Sequence, residues 1–196
     1  MNGATTVSVV GVGGQGVILG AAVLANAAMI AGFDVKASEV KGMAQRGGSV
    51  FSTVRFGRQV WSPVSAHADV VVATELLEGR RTLELLAAGG ALVFSTAVIA
   101  PGSVLRGEKP YPGDIEAAAA ALGVRLLGLD AEALAAAAGT IRVANVALLG
   151  AASTVLPFED EHWQKALQLV VPGKTLEANR HAFELGRDTV SQEVGG

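Results

Sequence analysis

The sequence contains no cysteine, and this absence excludes several functions at once. Iron–sulfur clusters and most structural zinc sites need thiolate ligands, so we expect the chain to hold no standard cluster by itself and to form no disulfide. Its three histidines, His67, His162 and His181, lie far apart, and their spacing does not match a metal site. We therefore expect no metal on this chain alone, and each histidine to lie at the surface or the edge of the core.

The sequence also has few charged residues and no basic cluster. Charged residues make up 17% of the chain and the net charge is −3, so nucleic acid is not expected as a ligand. No apolar run of membrane-spanning length lacks glycine or polar breaks, since residues 17–33 contain Gly20 and Asn26. The N-terminus has no signal-peptide pattern, which predicts a cytoplasmic protein. The high apolar content favours burial against partner subunits, with a homodimer as one possibility.

The order of apolar segments predicts one α/β domain over residues 1–196. Predicted strands cover residues 7–10, 33–38, 49–56, 68–73, 91–95 and 124–128, and predicted helices cover 16–31, 76–87, 114–122, 131–138, 143–154, 159–170 and 173–193. We expect a Rossmann-like, mostly parallel sheet with a helical C-terminal layer. We also expect an antiparallel hairpin that turns at Gly57 and Arg58 into residues 59–61, a turn at Gly89 and Gly90, and helix caps at Asp114 and Asp130.

The first strand leads into a glycine-rich turn at residues 11–16, GVGGQG, before the first helix. This pattern is typical of dinucleotide-binding folds, in which backbone N–H groups at the helix start bind phosphate. Such folds also place an acidic residue at the end of the second strand to bind a ribose, and Glu39 is a better candidate than Asp34. The pattern alone fits a nucleotide site and a purely structural turn equally. The candidate residues are Gly11, Gly13, Gly14, Gln15, Gly16 and Glu39.

A second glycine segment, residues 41–48 with the sequence KGMAQRGG, precedes the third predicted strand. Its lysine and arginine carry cationic donors, its glutamine amide both donates and accepts, and its glycines permit unusual backbone turns. This composition suits a carboxylate or phosphate ligand, or an interface with a polar loop of another chain. The plainer interpretation is a solvated connection. The segment adds Lys41, Gln45, Arg46, Gly47 and Gly48 to the candidate residues.

These two segments together resemble the gamma-type subunit of 2-oxoacid:ferredoxin (acceptor) oxidoreductases. The second segment, within SEVKGMAQRGGSV at residues 38–50, is most similar to the indolepyruvate branch of that family, in which this domain is the beta subunit. Further similar positions lie downstream, at Ser62, Pro63, Ala68, Asp69, Arg142, Asn145, Leu149, Gly150, Lys174, Glu177, Asn179, Ala182, Phe183 and Gly186. The resemblance covers almost the entire chain.

The resemblance implies a complex that decarboxylates a 2-oxo acid on thiamine diphosphate, forms an acyl-CoA and passes electrons through iron–sulfur clusters to ferredoxin. Thiamine diphosphate, magnesium and the clusters would belong to a large alpha subunit, with CoA as co-substrate. This chain lacks the magnesium-binding signature of thiamine enzymes, since Gly113 and Asp114 stand alone. We expect the two glycine segments to bind an anionic group such as a CoA phosphate, or to form a subunit interface. A free-standing NAD(P)- or FAD-binding protein is the alternative.

Overall fold

The computed structural model describes residues 3–41, 48–99, 107, 111 and 113–194. Its strands are β1 (Thr5–Val12), β2 (Asp34–Lys41), β3 (Ser49–Gly57), β4 (Ala68–Ala73), β5 (Leu86–Ser95) and β6 (Arg125–Leu129). They form one sheet in the order β2-β3-β1-β4-β5-β6. Strands β1, β4, β5 and β6 are parallel, whereas β3 is antiparallel to both β1 and β2. The predicted fold class is confirmed, and the antiparallel pair at one side of the sheet consists of β2 and β3.

Helices cover both faces of the parallel part of this sheet. They are α1 (Val17–Ile30), α2 (Leu76–Thr82), α3 (Ile115–Leu122), α4 (Ala131–Ala137), α5 (Ala144–Ser153), α6 (Asp160–Val170) and α7 (Leu176–Val194). Alternate residues of a strand point to opposite faces, so Val70 and Val72 pack with α1, α5 and α6, while Val71 packs with α2 and α3. The three C-terminal helices join the first of these two cores, so the predicted helical layer is confirmed. No helix in the described residues is long and apolar enough to cross a membrane.

The predicted hairpin at Gly57 and Arg58 is wrong, because β3 pairs with β2 and β1 instead of residues 59–61. Val54, at the centre of β3, lies opposite Val7 on one side and Ala37 on the other. The strand therefore has neighbours along both edges, and residues 59–61 cannot add to it. Side chains hold that loop instead, since the Val60 amide donates to the Asp34 carboxylate at 2.7 Å.

The helix predicted over residues 76–87 ends early, and the predicted turn at Gly89 and Gly90 is wrong. Helix α2 ends at Thr82, a 3-10 turn follows, and β5 already begins at Leu86. Leu83 and Leu86 are both buried against the sheet, so the chain turns earlier to bring them there. Both glycines lie within β5, where the register with β4 shifts and Gly89 has a φ of 76°. A glycine tolerates this positive φ at little cost.

The two predicted aspartate caps differ in the structure. The Asp130 carboxylate accepts a hydrogen bond from the Ala133 amide at 2.9 Å, which confirms it as the cap of α4. Asp114 stands at the cap position of α3, but its side chain makes no capping bond. Its two carboxylate oxygens instead bind the Arg80 guanidinium, each at 2.9 Å. This bidentate charged pair joins α3 to α2.

Candidate functional site

The glycine turn lies at the carboxyl end of β1 and forms the start of α1. Gly16 is the N-cap residue of α1 with a φ of 74°, and it offers no side-chain oxygen to the first turn. The first turn of α1 also has no acidic residue. Since the first amides of a helix have no intrahelical acceptor, this helix start presents unpaired N–H groups and a positive dipole end. Both features attract an anion.

A cavity of about 400 Å³ adjoins this helix start. It lies at the carboxyl ends of β1, β4 and β5, where open α/β sheets bind ligands, and it extends to the start of α5. Arg142 lines it and makes no ion pair with any described residue. Glu132 lines it too, so the cavity carries one side chain of each charge. The full lining consists of Gly14, Gln15, Gly16, Leu19, Thr74, Ser95, Glu132, Ile141, Arg142, Ala144, Asn145 and Leu148.

Gln15 fixes the conformation of the turn. Its Oε1 accepts hydrogen bonds from the Val12 amide at 2.8 Å and from the Thr74 hydroxyl at 2.6 Å. Its Nε2 lies 3.4 Å from the Thr74 carbonyl oxygen, which is a weak bond. The acceptor capacity of the Gln15 amide is therefore used within the protein. This candidate residue connects the turn to the end of β4.

Asn145, at the start of α5, connects the helical layer to the same turn. Its Nδ2 donates to the Gly16 carbonyl oxygen at 3.0 Å. Its Oδ1 is buried without a hydrogen-bond partner among the described residues. Asn145 and Asn179 are both buried in helices, and Asn145 bonds to the backbone at the start of another helix. Asn179 differs, because its Nδ2 donates locally to the Thr175 carbonyl oxygen at 2.7 Å.

The end of the second glycine segment contacts the turn directly. The Gly13 amide donates to the Gly48 carbonyl oxygen at 2.9 Å, so this amide is not available to a ligand. The next residue, Ser49, donates its hydroxyl to the Glu78 carboxylate at 2.5 Å. Residues 42–47, which include the candidates Gln45, Arg46 and Gly47, lie outside the described residues. Across the sheet, the backbone of Lys41 is opposite Val50, which is itself opposite Gly11.

Glu39 lies inside β2, because this strand continues past the predicted end at residue 38. It is opposite Ser52, and Ser52 is opposite Val9 in β1. Two strand spacings, about 10 Å, therefore separate it from β1. In dinucleotide-binding folds the second strand lies directly beside the first, so the acidic residue is one spacing away. The insertion of β3 places Glu39 too far out for that arrangement.

Three residues of the stretch that follows β4 hold the loops at this edge, and reasoning from the sequence missed their roles. Thr74 binds Gln15, and Glu78 binds Ser49 and also Arg81, whose guanidinium lies 2.7 Å from its carboxylate. The buried Glu75 carboxylate accepts bonds from the Glu78 amide, the Ile99 amide and the Tyr111 hydroxyl, at 3.0, 3.0 and 2.5 Å. Burial and the bond to Glu75 raise the pKa of Tyr111. The sequence feature that could have indicated these roles is the pair of acidic residues, Glu75 and Glu78, that follows a buried strand.

The described residues contain no group of three or more histidine, aspartate and glutamate side chains that could hold a metal ion. His162 has a local role, because its Nδ1 accepts a hydrogen bond from the Glu159 amide at 3.0 Å and completes a capping box at the start of α6.

Comparison with known proteins defines the class to which this chain belongs. Residues 6–189 match the family model described as pyruvate ferredoxin/flavodoxin oxidoreductase. The indolepyruvate oxidoreductase subunit IorB of Thermococcus kodakarensis is 37% identical over 194 residues, which cover 95% of this chain and 96% of that protein. The gamma subunit of a keto/oxoacid ferredoxin oxidoreductase from Geobacter sulfurreducens has a TM-score of 0.73 and 25% identity, with 96% and 99% of the two chains covered. The 2-oxoglutarate:ferredoxin oxidoreductase of Magnetococcus marinus shares the fold, with a TM-score of 0.76 at 19% identity over 96% of this chain and 31% of that one.

The chain belongs to the pyruvate ferredoxin/flavodoxin oxidoreductase family. It is a subunit of a 2-oxoacid:ferredoxin oxidoreductase, an enzyme that acts on oxo groups as a complex of subunits. The resemblance to gamma-type subunits, including the similarity to the indolepyruvate branch, is confirmed.

Proposed function

We propose that this chain is the small, cluster-free subunit of a thiamine-diphosphate-dependent oxidoreductase for indolepyruvate or another aryl pyruvate. The 37% identity to an indolepyruvate oxidoreductase subunit over 95% of the chain supports this proposal. In this proposal the large alpha subunit holds thiamine diphosphate, magnesium and the iron–sulfur clusters. This chain has no cysteine to ligate a cluster. Thiamine diphosphate supplies the carbanion stabilisation that decarboxylation of a 2-oxo acid requires. Ferredoxin accepts the electrons from the complex, which is cytoplasmic.

The contribution of this chain is an anion site at the interface with the large subunit. The observation that supports it is the uncapped start of α1 beside a cavity of about 400 Å³ that Arg142 also lines. The amides of Gly14 and Gly16 have no acceptor among the described residues and would bind a phosphate of CoA. Lys41, Gln45 and Arg46 of the second segment would add side-chain donors to the same anion. The chain thereby orients CoA for acyl transfer, or it fixes the subunit interface.

Arg46→Ala in the complex reconstituted with the large subunit tests this role. Loss of a guanidinium that binds a phosphate should raise the KM for CoA about tenfold or weaken subunit association by a similar factor. Turnover with indolepyruvate and size-exclusion chromatography measure the two effects. Arg125→Ala is the matched control, because Arg125 begins β6 at the opposite edge of the sheet. An unchanged KM for CoA together with unchanged association would exclude the role.

A free-standing NAD(P)- or FAD-binding protein is the alternative that the glycine turn supports by its pattern. The position of Glu39, two strands from β1, is unfavourable for it. Titration of the isolated chain with NAD, NADP, FAD and CoA distinguishes the two functions. Micromolar binding of a dinucleotide without the large subunit would favour the alternative. In a purely structural subunit, loop substitutions would change turnover only in proportion to assembly.

A further inference from the structure

Thr74 is buried at the carboxyl end of β4, and three of its atoms bond to β1 or to the glycine turn that follows β1. Its amide donates to the Val10 carbonyl oxygen at 2.9 Å, and its hydroxyl donates to Gln15 Oε1 at 2.6 Å. Its carbonyl oxygen accepts the weak bond from Gln15 Nε2. Residue 74 thus binds both the strand that leads into the turn and the side chain at the centre of the turn.

The position of the Thr74 hydroxyl depends on the absence of a side chain at Gly11. A Cβ atom at Gly11 would overlap the Thr74 hydroxyl oxygen, so the strand can approach β4 this closely only without a side chain. The hydroxyl occupies the space that a side chain at Gly11 would fill, and from there it reaches Gln15. Gln15 Oε1 also holds the Val12 amide, so the turn is bonded at its start and at its centre.

We infer that Thr74 is a positioning residue for CoA, acting through Gln15 on the amides at the start of α1. This inference rests on the proposed function, because it assigns a task to the same cavity, which Thr74 and Gln15 both line. The amides of Gly14 and Gly16 can point at a phosphate only while the turn keeps its conformation. A preorganised set of donors binds an anion more tightly than one that must first be ordered, since ordering costs conformational entropy.

The test compares Thr74→Val with Thr74→Ser in the complex reconstituted with the large subunit, assayed with indolepyruvate and CoA. Valine keeps the shape and removes the hydroxyl, so Gln15 Oε1 loses a partly buried bond. The KM for CoA should rise about tenfold while kcat stays within about twofold, and serine should restore the KM. Thr82→Val is the matched control. Thr82 is equally buried, but its hydroxyl donates to the Glu78 and Gly79 carbonyl oxygens inside α2, so this variant should leave the KM for CoA unchanged.

Gln15→Met provides a second variant that removes the same bond from the other side. It should raise the KM for CoA as Thr74→Val does, and the double variant should be no worse than either, because the two residues act as a unit. An unchanged KM in Thr74→Val, with Arg46→Ala still raising it, would overturn the inference and leave the proposed function standing. If neither variant changed the KM or the association, the proposed function itself would fail. Loss of folding in both Thr74→Val and Gln15→Met, measured by circular dichroism, would also overturn the inference, since the contact would then hold the fold instead of the site.

Discussion

Two regions of this protein depend on glycine for different physical reasons. Where α5 crosses α7, Cβ atoms at Gly150 and Gly186 would overlap the carbonyl oxygens of Phe183 and Ala147. In the first turn, Gly14 and Gly16 have φ angles of 102° and 74°. The crossing needs the missing side chain because the two backbones touch. The turn needs the positive φ that glycine tolerates.

The glycines of the crossing allow two helices to pack, whereas the glycines of the turn shape the candidate site. The crossing is buried, with Phe183, Ala147 and Ala182 all inaccessible to solvent. Its glycines let α7 approach α5 and thereby complete the helical layer that supports the sheet. The turn lies at a half-open cavity, and its conformation is maintained by side-chain bonds from Gln15 and Asn145. A change at the crossing should therefore affect folding, and a change in the turn should affect the site first.

The largest expected effect is at the crossing, with Gly186→Ala. The added methyl group would meet the backbone of Ala147, which cannot rotate away as a side chain can. Overpacking of this kind should lower the free energy of unfolding by at least about 3 kcal/mol, as measured by urea denaturation. Gly173→Ala is the control, because a Cβ there has no heavy atom within 4 Å, and it should change stability by no more than about 0.5 kcal/mol. If both variants unfold at the same urea concentration as the wild type, the helices do not touch as closely as the structure has them.

An intermediate effect is expected within the turn, where Gly16→Ala and Gly14→Ala differ in their surroundings. Both impose a positive φ on alanine, which costs about 1 kcal/mol. A Cβ at Gly16 would also lie 2.7 Å from Asn145 Nδ2, whereas a Cβ at Gly14 would have no heavy atom within 4 Å. Gly16→Ala should therefore cost about 2 kcal/mol of unfolding free energy, and Gly14→Ala about half as much.

The background Asn145→Ala distinguishes the two contributions to this cost. Without the asparagine side chain, Gly16→Ala should cost about 1 kcal/mol, as Gly14→Ala does, because only the backbone strain remains. Urea denaturation of the four variants measures the difference. An equal cost of Gly16→Ala in both backgrounds would mean that the turn is strained by its φ angle alone and that the Asn145 contact is of no consequence.

The sequence predicted the elements whose apolar runs are long and whose neighbours are close in the chain. Strand β4 was predicted with its observed bounds, residues 68–73, because an apolar run that only Asp69 interrupts is typical of a central parallel strand. The turn before α1 followed from its glycines. The partner of β3 was predicted wrongly, since local turn residues at Gly57 and Arg58 cannot report that β1 and β2 compete for the same strand edges.

The residues that position the candidate site could not be predicted for a related reason, which is that they lie far from their partners in the sequence. Thr74 and Gln15 are separated by 59 positions, and Glu78 and Ser49 by 29. A single threonine or glutamate after a strand has many structural uses, and only the assembled sheet brings it to a particular loop. Glu39 illustrates the same limit, because its distance from β1 depends on a strand that follows it in the sequence.

The smallest expected difference between the two regions is electrostatic. The helix crossing is made of apolar groups and backbone, and we expect it not to respond to pH. At the same edge of the sheet as the turn, the Arg80–Asp114 pair joins α2 to the start of α3, and hydrogen bonds from the guanidinium hold the pKa of Asp114 below its usual range. The folded-state pKa is then lower than the unfolded one, which is about 3.9. The pair therefore stabilises the fold fully above about pH 4, and this contribution is lost as the pH falls further, through the folded-state pKa.

Asp114→Asn tests this dependence, because the amide keeps the shape of the carboxylate without its charge. The variant should have a slightly lower Tm than the wild type at pH 7, and the difference should shrink as the pH falls below about 4, through the lowered folded-state pKa of Asp114. Since the pair is exposed, 0.5 M NaCl at pH 7 should reduce the difference as well. A difference in Tm that persists unchanged at pH 3 and in salt would mean that Asp114 acts by packing at the start of α3. In that case its contribution would resemble that of the glycines at the helix crossing, and charge would not distinguish the two regions.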